Sequence, residues 1–294
     1  MIHKPVLVKE VLEYLNPKPG ENFIDGTIGQ GGHTLLILER IAPGGRVLGI
    51  DLDVAQIENA KVEMPGQKER VVLVHDSYAN VKNIALRENF TPVHGILLDL
   101  GYSSWQIENS GKGFSFQKDE RLDMRYDLGS ELTAETIVNE WPEEKLLQIL
   151  DEYGEEKFAK QIARAVVKAR NSKKIESTFE LVRIIESTVP EKCQHGRIHC
   201  ATRTFQALRI AVNDELGNLE EALGEAISVL TSLGRLVVIS FHSLEDRMVK
   251  NFFREQEKGG FVKIITKKPI TASGGELQAN PRARSAKLRA LIKV

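Results

Sequence analysis

Four aspartates, each at the end of a short apolar run, carry the chemistry that this sequence suggests. Asp25, Asp51, Asp76 and Asp99 close the segments NFID, RVLGID, RVVLVHD and GILLD. If those segments are parallel strands, their carboxyl ends share one edge of a sheet, which is where open α/β sheets bind ligands. A carboxylate there can accept hydrogen bonds from ribose hydroxyls or from an amine, so the pattern favours a nucleoside cofactor.

A glycine-rich loop, DGTIGQGGH, begins at the first of these aspartates. Glycines allow positive φ and a close approach of the backbone to a ligand. A Walker loop is excluded because no Lys-Ser or Lys-Thr pair follows the last glycine, and a dinucleotide fingerprint lacks its third glycine, since Thr34 stands there. The acid-x-Gly-x-Gly-x-Gly pattern of S-adenosylmethionine enzymes matches at Asp25, Gly29 and Gly31, with Thr27 replacing the first glycine.

Asp51 and Tyr78 extend the predicted cofactor site beyond the loop. Asp51 follows Gly31 by twenty residues, the position from which a carboxylate accepts both hydroxyls of a ribose. Because NAD and S-adenosylmethionine both carry that ribose, Asp51 does not choose between them, and a simple strand-end cap is the alternative. Tyr78, near the end of the third strand, is placed to stack on an adenine.

Asp99 is the expected catalytic residue. It begins the segment Asp99-Leu100-Gly101-Tyr102 at the end of the fourth predicted strand. An exocyclic amine on a base is a poor nucleophile because its lone pair is delocalised into the ring, and fixed acceptors that hold its N–H groups align it for transfer. We expect Asp99 to be that acceptor and Ser103 to help orient the amine. The alternative is that Asp99 binds only the methionine end of the cofactor.

The elements that must position these residues are those of an α/β fold. Apolar strands alternate with helices over residues 6–100 and again after about residue 212, which predicts a parallel sheet covered on both faces. Between them the sequence favours helices and loops. We therefore predict a Rossmann-like S-adenosylmethionine methyltransferase sheet, formed by residues 1–106 and 213–294. A helical insertion over residues 107–212 is expected to recognise the substrate.

The distribution of charge favours a polyanionic partner, although the net charge is only −1. Residues 159–175 contain six basic residues and no acid, and the last 32 residues contain eight basic residues against Glu276 alone. No apolar run approaches the roughly 18–20 residues that cross a bilayer. With two cysteines and no recognisable signal peptide, we expect a cytoplasmic protein that does not bind membranes.

Several residues are candidates for contact with that polyanion. Arg203 and Arg209 in TRTFQALR are six residues apart, so only one is expected to face the substrate, and we favour Arg203. Arg282 and Arg284 in NPRARSAKLR share one face if the segment is extended, which suits contacts with phosphates. His242, after the fifth strand, is predicted either to act at the substrate or to cap the next helix.

A zinc site is the remaining chemical option. Its ligands would be Cys193, His195, His199 and Cys200. Structural zinc sites more often present two Cys-x₂₋₄-Cys pairs, so this spacing is unusual. We expect no metal.

Longer motifs carry a resemblance to a known family. The segments HKPVLVKEVL, DGTIGQGGHT, GILLDLGYSSWQI, ATRTFQALRIAVNDEL and SFHSLEDRMVK resemble the bacterial 16S ribosomal RNA cytosine-N4 methyltransferases (the RsmH or MraW family), and the similarity runs along almost the whole chain. The resemblance implies S-adenosylmethionine as cofactor and methylation of N4 of one cytosine in the decoding region of the small subunit. It implies cofactor contacts by these residues: Gly31, Gly32, His33, Asp51, Tyr78, Asp99 and Gln106.

Two other functions and several details stay open at this stage. Tyr102, Trp105 and Cys200 depart from the residues usual in the family. The alternatives are a nucleotide-dependent oxidoreductase and a non-catalytic ribosome assembly factor that retains the cofactor fold. The sequence does not show whether naked RNA or the assembled subunit is the substrate, and the oligomeric state is open, with a homodimer as one option.

Overall fold

The protein is described by a computed structural model that covers residues 5–194 and 198–294. The chain divides into two compact units. The first comprises the residues up to Gly101 together with Leu216–Val294, and the second is Tyr102–Glu215. No helix of the described residues has both the length and the apolar character needed to cross a membrane.

The first unit is built on a seven-stranded sheet. Its strands are β1 Phe23–Asp25, β2 Val47–Asp51, β3 Val71–His75, β4 Val93–Asp99, β5 Leu230–Ser240, β6 Val262–Ile264 and β7 Lys287–Lys293. The order across the sheet is β3-β2-β1-β4-β5-β7-β6. This arrangement confirms the predicted Rossmann-like sheet, in which the chain starts in the middle and winds outward in both directions.

One edge of the sheet departs from the prediction of parallel strands. Strand β7 runs antiparallel to both β5 and β6. A parallel pair needs a long crossover that returns the chain to the starting edge. The connection from β6 to β7 contains only a short helix, Gly274–Ala279, and a 3₁₀ helix, Pro281–Ser285. The chain returns between β5 and β6, and antiparallel pairing with both strands fixes the direction of β7.

Helices cover both faces of this sheet. They are α1 Val8–Leu15, α2 Gly32–Arg40, α3 Val54–Glu63, α4 Val81–Arg87, α12 Glu215–Val229, α13 Ser243–Lys258 and α14 Gly274–Ala279. Along β4 the side chains alternate between two cores: Ile96 and Leu98 join the core that contains Leu219 and Phe253, whereas Leu97 joins the core of α1 and α2. Burial on both faces explains why the strands are almost continuously apolar.

The start of β5 corrects another prediction. The sequence predicts a helix over residues 216–232, but α12 ends at Val229 and β5 begins at Leu230. Leu230 pairs with Val93, and the register then shifts, so that Arg235 pairs with Gly95. The hydroxyl of Thr231 donates to the carbonyl oxygen of Val93 at 3.0 Å. Pairing with β4 therefore outweighs the local helical pattern at these positions.

The second unit is helical. Its helices are α5 Ser104–Asn109, α6 Ala134–Glu140, α7 Glu143–Glu152, α8 Ala159–Arg170, α9 Thr178–Thr188, α10 Glu191–Gln194 and α11 Thr202–Asn213. Apolar residues on one face of each long helix form a separate core, which includes Leu150, Ile162 and Leu181. Hydroxyl caps start three of the helices: Ser103 accepts from the Gln106 amide, Thr133 from the Thr136 amide and Ser177 from the Glu180 amide.

Candidate active site

The buried carboxylate of Asp25 holds the loop that follows β1 through two hydrogen bonds. This carboxylate is 1% exposed. Its Oδ2 accepts a hydrogen bond from the hydroxyl of Thr34 at 2.7 Å, and its Oδ1 accepts one from the amide of Thr27 at 3.3 Å. Burial raises the pKa of Asp25, and the hydrogen bond from Thr34 partly offsets that rise. Asp25 therefore holds the loop in place and offers little surface to a ligand.

The glycines bring the backbone of this loop close to its surroundings. Gly29 and Gly31 have φ values of 51° and 81°, in the left-handed region that favours glycine. A Cβ on Gly31 would lie 3.1 Å from the side chain of Met64, and one on Gly32 would lie 3.1 Å from Pro5. Larger side chains at Gly31 and Gly32 would therefore crowd Met64 and Pro5, which explains why the loop has glycine at these positions.

Asp51 ties the end of β2 to the same loop. Its Oδ2 accepts a hydrogen bond from the amide of Gly29 and its Oδ1 accepts one from the amide of Asp53, both at 2.9 Å. Burial raises the pKa of Asp51 to about 7, although those two amides favour the ionised form. Each oxygen retains a further lone pair, so the carboxylate can still accept from ligand hydroxyls.

His33 and Asp99 meet at the start of α2 and the end of β4. His33 Nε2 lies 3.4 Å from Asp99 Oδ2, and their side chains are 7% and 18% exposed. The amide of Asp99 donates to the hydroxyl of Thr27 at 2.7 Å, which fixes the backbone at this point. Neither His33 Nε2 nor Asp99 Oδ1 has a hydrogen-bond partner among the described residues. Unsatisfied buried polar atoms of this kind indicate a site that a ligand completes.

Tyr78 lies beside the same loop. It begins a short 3₁₀ helix, Tyr78–Asn80, and a Cβ on Gly26 would lie 3.3 Å from the Tyr78 Cβ. Asp76 accepts from the Ser77 amide and from the Asn80 side chain, both at 2.8 Å, so it stabilises the turn that presents Tyr78. The structure thus gives Asp76 a local role, and stacking of Tyr78 on an adenine stays a prediction.

Gln56 is a buried polar residue that the sequence reasoning missed. It lies on α3, is 1% exposed, and neither its side-chain oxygen nor its nitrogen has a hydrogen-bond partner among the described residues. A Cβ on Gly29 would lie 4.0 Å from Gln56 Oε1, so the amide faces the glycine loop. No motif signals it, because glutamine on an amphipathic helix is usually exposed.

Ser103 and Gln106 belong to the second unit, where they bond to each other. Ser103 Oγ accepts from the Gln106 amide at 3.2 Å, and Gln106 Oε1 accepts from the Ser103 amide at 2.8 Å. This pair is a capping box that starts α5. The structure therefore shows a structural role for both residues, and their predicted roles toward amine and cofactor stay predictions.

The two arginines of α11 have different environments. Arg209 is buried and bonds to both oxygens of Glu215, at 2.7 and 2.9 Å. Its guanidinium also lies 4.5 Å from the ring centre of Tyr102. Arg203 is half-buried and donates to the carbonyl oxygen of Glu155. Arg209 therefore belongs to the core of the second unit, and the contact predicted between Arg203 and RNA stays a prediction.

His242 and the basic segment near the end of the chain lie at the edge of the sheet where β5 ends. His242 is the N-cap of α13, and its Nδ1 accepts from the Glu245 amide at 3.4 Å. The extended conformation considered for Arg282 and Arg284 is wrong, because residues 281–285 form a 3₁₀ helix that begins with Pro281. With three residues per turn, Arg282 and Arg284 point in different directions.

The potential zinc ligands are only partly described. His195 lies outside the described residues, and so does the side chain of Cys193. Glu186, His199 and Cys200 bring one ligand atom each to within 4.8 Å of one another. The Nδ1 of His199 accepts from the Ala201 amide at 3.2 Å, which places its proton on Nε2, toward Glu186 at 3.5 Å. In this tautomer His199 has no free nitrogen for a metal, and the absence of a metal stays a prediction.

Comparison with known proteins identifies the family. The profile described as the MraW methylase family matches residues 1–294. The chain belongs to this family. The chain is similar to proteins named ribosomal RNA small subunit methyltransferase H. The one from Heliobacterium modesticaldum is 46% identical over 99% of this chain and 98% of that protein, and the one from Sulfurihydrogenibium azorense is 47% identical over 98% and 97%.

Solved structures of other methyltransferases are also similar to this MraW-family protein. A putative rRNA-methylase from Clostridium thermocellum covers 100% of both chains at 16% identity, with a TM-score of 0.45. A fibrillarin from Aeropyrum pernix, in complex with S-adenosyl-L-methionine, covers 93% of this chain and 67% of its own at 10% identity, with a TM-score of 0.39.

The family makes this protein a methyltransferase whose cofactor is S-adenosylmethionine, which confirms the predicted enzyme class and cofactor. The residues of the first unit fit that cofactor. Asp51 offers a carboxylate to a ribose, and the glycine loop offers backbone without side chains. The unsatisfied atoms of His33 and Asp99 suit the charged methionine end or the reacting amine. Which residues hold which part of the cofactor stays a proposal.

Proposed function

We propose that this methyltransferase transfers a methyl group from S-adenosylmethionine to the N4 amino group of a cytosine in the decoding region of 16S ribosomal RNA, within the small subunit. The observation that carries the reaction is the Asp99 carboxylate, which ends β4 with one oxygen beside His33 and the other without a partner. The substrate rests on the relatives and on the sequence motifs.

Ribosomal RNA is the substrate best supported by similarity. Relatives named as methyltransferases of small-subunit ribosomal RNA share 43–47% of their residues with this chain, over nearly the full length of both. The basic stretches of the chain suit a polyanion. The choice of cytosine N4, and of the decoding region, follows from the resemblance of the longer motifs to the cytosine-N4 methyltransferases.

Different residues at the carboxyl edge of the sheet bind the cofactor and activate the amine. When bound, S-adenosylmethionine supplies an electrophilic methyl group on a positively charged sulfur. Asp51 holds the ribose, and the backbone from Gly29 to Gly32 approaches the cofactor without hindrance from side chains. His33 stabilises the negative charge of Asp99 Oδ2, which lies 3.4 Å from it. Asp99 Oδ1 then remains to accept an N–H of the amine and to receive its proton.

The substrate must present its amine outside a base pair. In a helix the N4 amine of cytosine is hydrogen-bonded, so the target base has to be unstacked or flipped before it can react. We propose that Arg203, Arg282 and Arg284 hold the RNA backbone and that Ser103 helps to orient the amine. No protein nucleophile is required, because the amine attacks the methyl group directly.

A substitution of Asp99 tests this assignment. Asp99→Asn keeps the size of the side chain but removes its charge and its ability to take a proton. We expect methyl transfer at saturating cofactor to fall about 10²–10⁴-fold, while the dissociation constant of S-adenosylmethionine changes less than threefold. Single-turnover transfer of labelled methyl groups and calorimetric titration give the two values. Glu39→Gln, which removes the charge of an exposed carboxylate near the end of α2, is the control.

The two possible roles of Asp99 predict different results. If Asp99 only binds the methionine end, Asp99→Asn weakens cofactor binding and leaves transfer at saturation nearly unchanged. That outcome would refute the catalytic role. If wild-type protein binds the cofactor but methylates no RNA, the proposed substrate is wrong and a binding role in ribosome assembly becomes the better description.

A further inference from the structure

A small pocket opens beside the end of β5, wholly within the first unit. Its volume is about 230 Å³. The pocket is lined by residues that follow β5 and residues that precede or begin β7, together with one threonine: Phe241, His242, Ser243, Thr271, Arg284, Ser285, Ala286 and Lys287. Pockets that enclose whole small molecules measure about 300–1,000 Å³, so this one suits a single chemical group.

The pocket lies one strand away from Asp99. Asp99 pairs with Ile239 across β4 and β5, and Ser240 pairs with Lys287 across β5 and β7. Neighbouring strands are about 4.8 Å apart. Phe241, which forms one wall, is close to the turn after β4, because a Cβ on Gly101 would lie 3.4 Å from its ring. A ligand in the pocket is therefore a near neighbour of the reacting group on Asp99.

The lining of the pocket favours an anion. No carboxylate lines it, whereas Arg284, Lys287 and several hydroxyls do. Arg284 is exposed and makes no ion pair within the described part of the chain. Thr271 and Ser285 add hydroxyl donors. Arginine, lysine and serine or threonine side chains are the groups that most often contact phosphate oxygens.

The acids near the pocket are already neutralised or engaged. Asp246 lies 2.6 Å from Arg289 and 3.4 Å from Lys287. Burial alone would raise the pKa of Asp246, but the hydrogen bond from Arg289 and the two positive charges lower it. Glu245 is 3% exposed, and its Oε2 accepts from the amide of Phe241 at 2.7 Å. The charge of Arg284 is therefore left to act on a ligand.

The ring of His242, which also lines the pocket, is buried beside Glu245. Its side chain is 7% exposed. Because Nδ1 accepts from the Glu245 amide, the neutral ring carries its proton on Nε2. Nε2 lies 3.2 Å from Glu245 Oε1 but makes no hydrogen bond with any described residue. The nearest oxygen to Nε2 is thus a carboxylate oxygen of Glu245, so Arg284, Lys287 and the hydroxyls are the groups left to bind an anion.

We propose that this pocket binds a phosphodiester group of the RNA, one or two nucleotides from the cytosine that is methylated. The inference rests on the proposed function and deepens it, because it assigns one backbone phosphate to one set of residues. A phosphate held beside Asp99 fixes the backbone on one side of the flipped nucleotide. Arg284 carries most of the charge of the interaction, and the hydroxyls of Thr271 and Ser285 complete it.

Interference mapping with Arg284→Ala tests the proposal. Small subunits or 16S RNA are ethylated sparsely at their phosphates, and the fraction that the enzyme still binds is mapped around the methylated nucleotide. For the wild type we expect ethylation of one or two phosphates next to that nucleotide to block binding. For Arg284→Ala we expect this block to disappear, KM for RNA to rise about tenfold, and the slope of log affinity against log salt to fall by about 0.7–0.9.

The control variant is Arg40→Ala, which removes an exposed arginine from the last turn of α2. It should leave interference, KM and salt slope unchanged. Unchanged cofactor affinity shows that Arg284→Ala is folded, and Arg284→Lys should recover part of the binding. An identical interference pattern in wild type and Arg284→Ala would overturn the proposal.

Two further outcomes separate the remaining explanations. In the first, inorganic phosphate at millimolar concentration binds the pocket of the wild type but not of Arg284→Ala, while Arg284→Ala leaves KM for RNA unchanged. That result would mean that the site binds free phosphate, and the proposal would be wrong. A wild-type enzyme that methylates no RNA refutes the proposed function, whereas normal methylation without interference near the target refutes only the phosphate pocket.

Discussion

Asp51 should make cofactor binding depend on pH in the range just below neutrality. Burial, together with the nearby carboxylates of Asp53 and Asp25, raises the pKa of Asp51 to about 7, against the opposing effect of two backbone amides. A protonated carboxyl group has lost part of its capacity to accept from the two hydroxyls of a ribose. Cofactor affinity should therefore increase as the pH rises through the pKa of Asp51.

The size of the effect follows from competition between one proton and the cofactor. With a pKa of about 7 and a cofactor that binds only the ionised form, the dissociation constant should increase about fivefold between pH 7 and pH 6, and by nearly tenfold per pH unit below that. The same shift destabilises the unliganded protein as the pH rises from about 4 to about 7, because the native state holds a proton that the unfolded chain has released.

Calorimetric titration of S-adenosylmethionine at several pH values is the assay. The comparison stays below pH 7, because α-amino groups such as that of the cofactor titrate near pH 7.7–8.0. Asp51→Asn should bind more weakly at pH 7 but show a nearly flat profile. All other ionisable groups are common to both proteins. Equal pH dependence in wild type and Asp51→Asn would refute the reasoning.

Two substitutions test the packing around the site. Glu215→Ala leaves the buried guanidinium of Arg209 without its carboxylate partner, so the free energy of unfolding should fall by about 3–5 kcal/mol in urea titrations, and Glu215→Gln should cost less. Gln56→Leu removes a buried amide that has no partner, so it should raise the free energy of unfolding by about 1–2 kcal/mol. A loss of stability in Gln56→Leu would mean that the amide is satisfied in solution.

The sheet of the first unit could be predicted because its signals are local. Apolar runs buried on both faces, each followed by a helical pattern, mark β1 to β4 and the helices between them. The positions of Asp51 and Asp99 follow from that pattern, since each closes its strand. The shared edge of the sheet also predicts that the glycine loop after β1 lies beside the end of β2. The hydrogen bond from the Gly29 amide to Asp51 agrees with that placement.

The parts that escaped prediction depend on contacts between distant segments. The direction of β7 is set by pairing with β5, nearly fifty residues earlier, and no local pattern distinguishes it from a parallel strand. The turn at residues 281–285 is helical because Pro281 starts it, although the alternating arginines also suited an extended chain. Burial of Gln56 and of Arg209 depends on how helices pack, which periodicity does not resolve.

The identity of the methylated nucleoside is the measurement that tests the central claim most directly. Small subunits that lack base methylation are incubated with the enzyme and labelled S-adenosylmethionine, and the RNA is digested to nucleosides and separated. The account predicts label in N4-methylcytidine, and its loss in Asp99→Asn. Label in a ribose-methylated or C5-methylated nucleoside, or no label in any RNA despite tight cofactor binding, would contradict it.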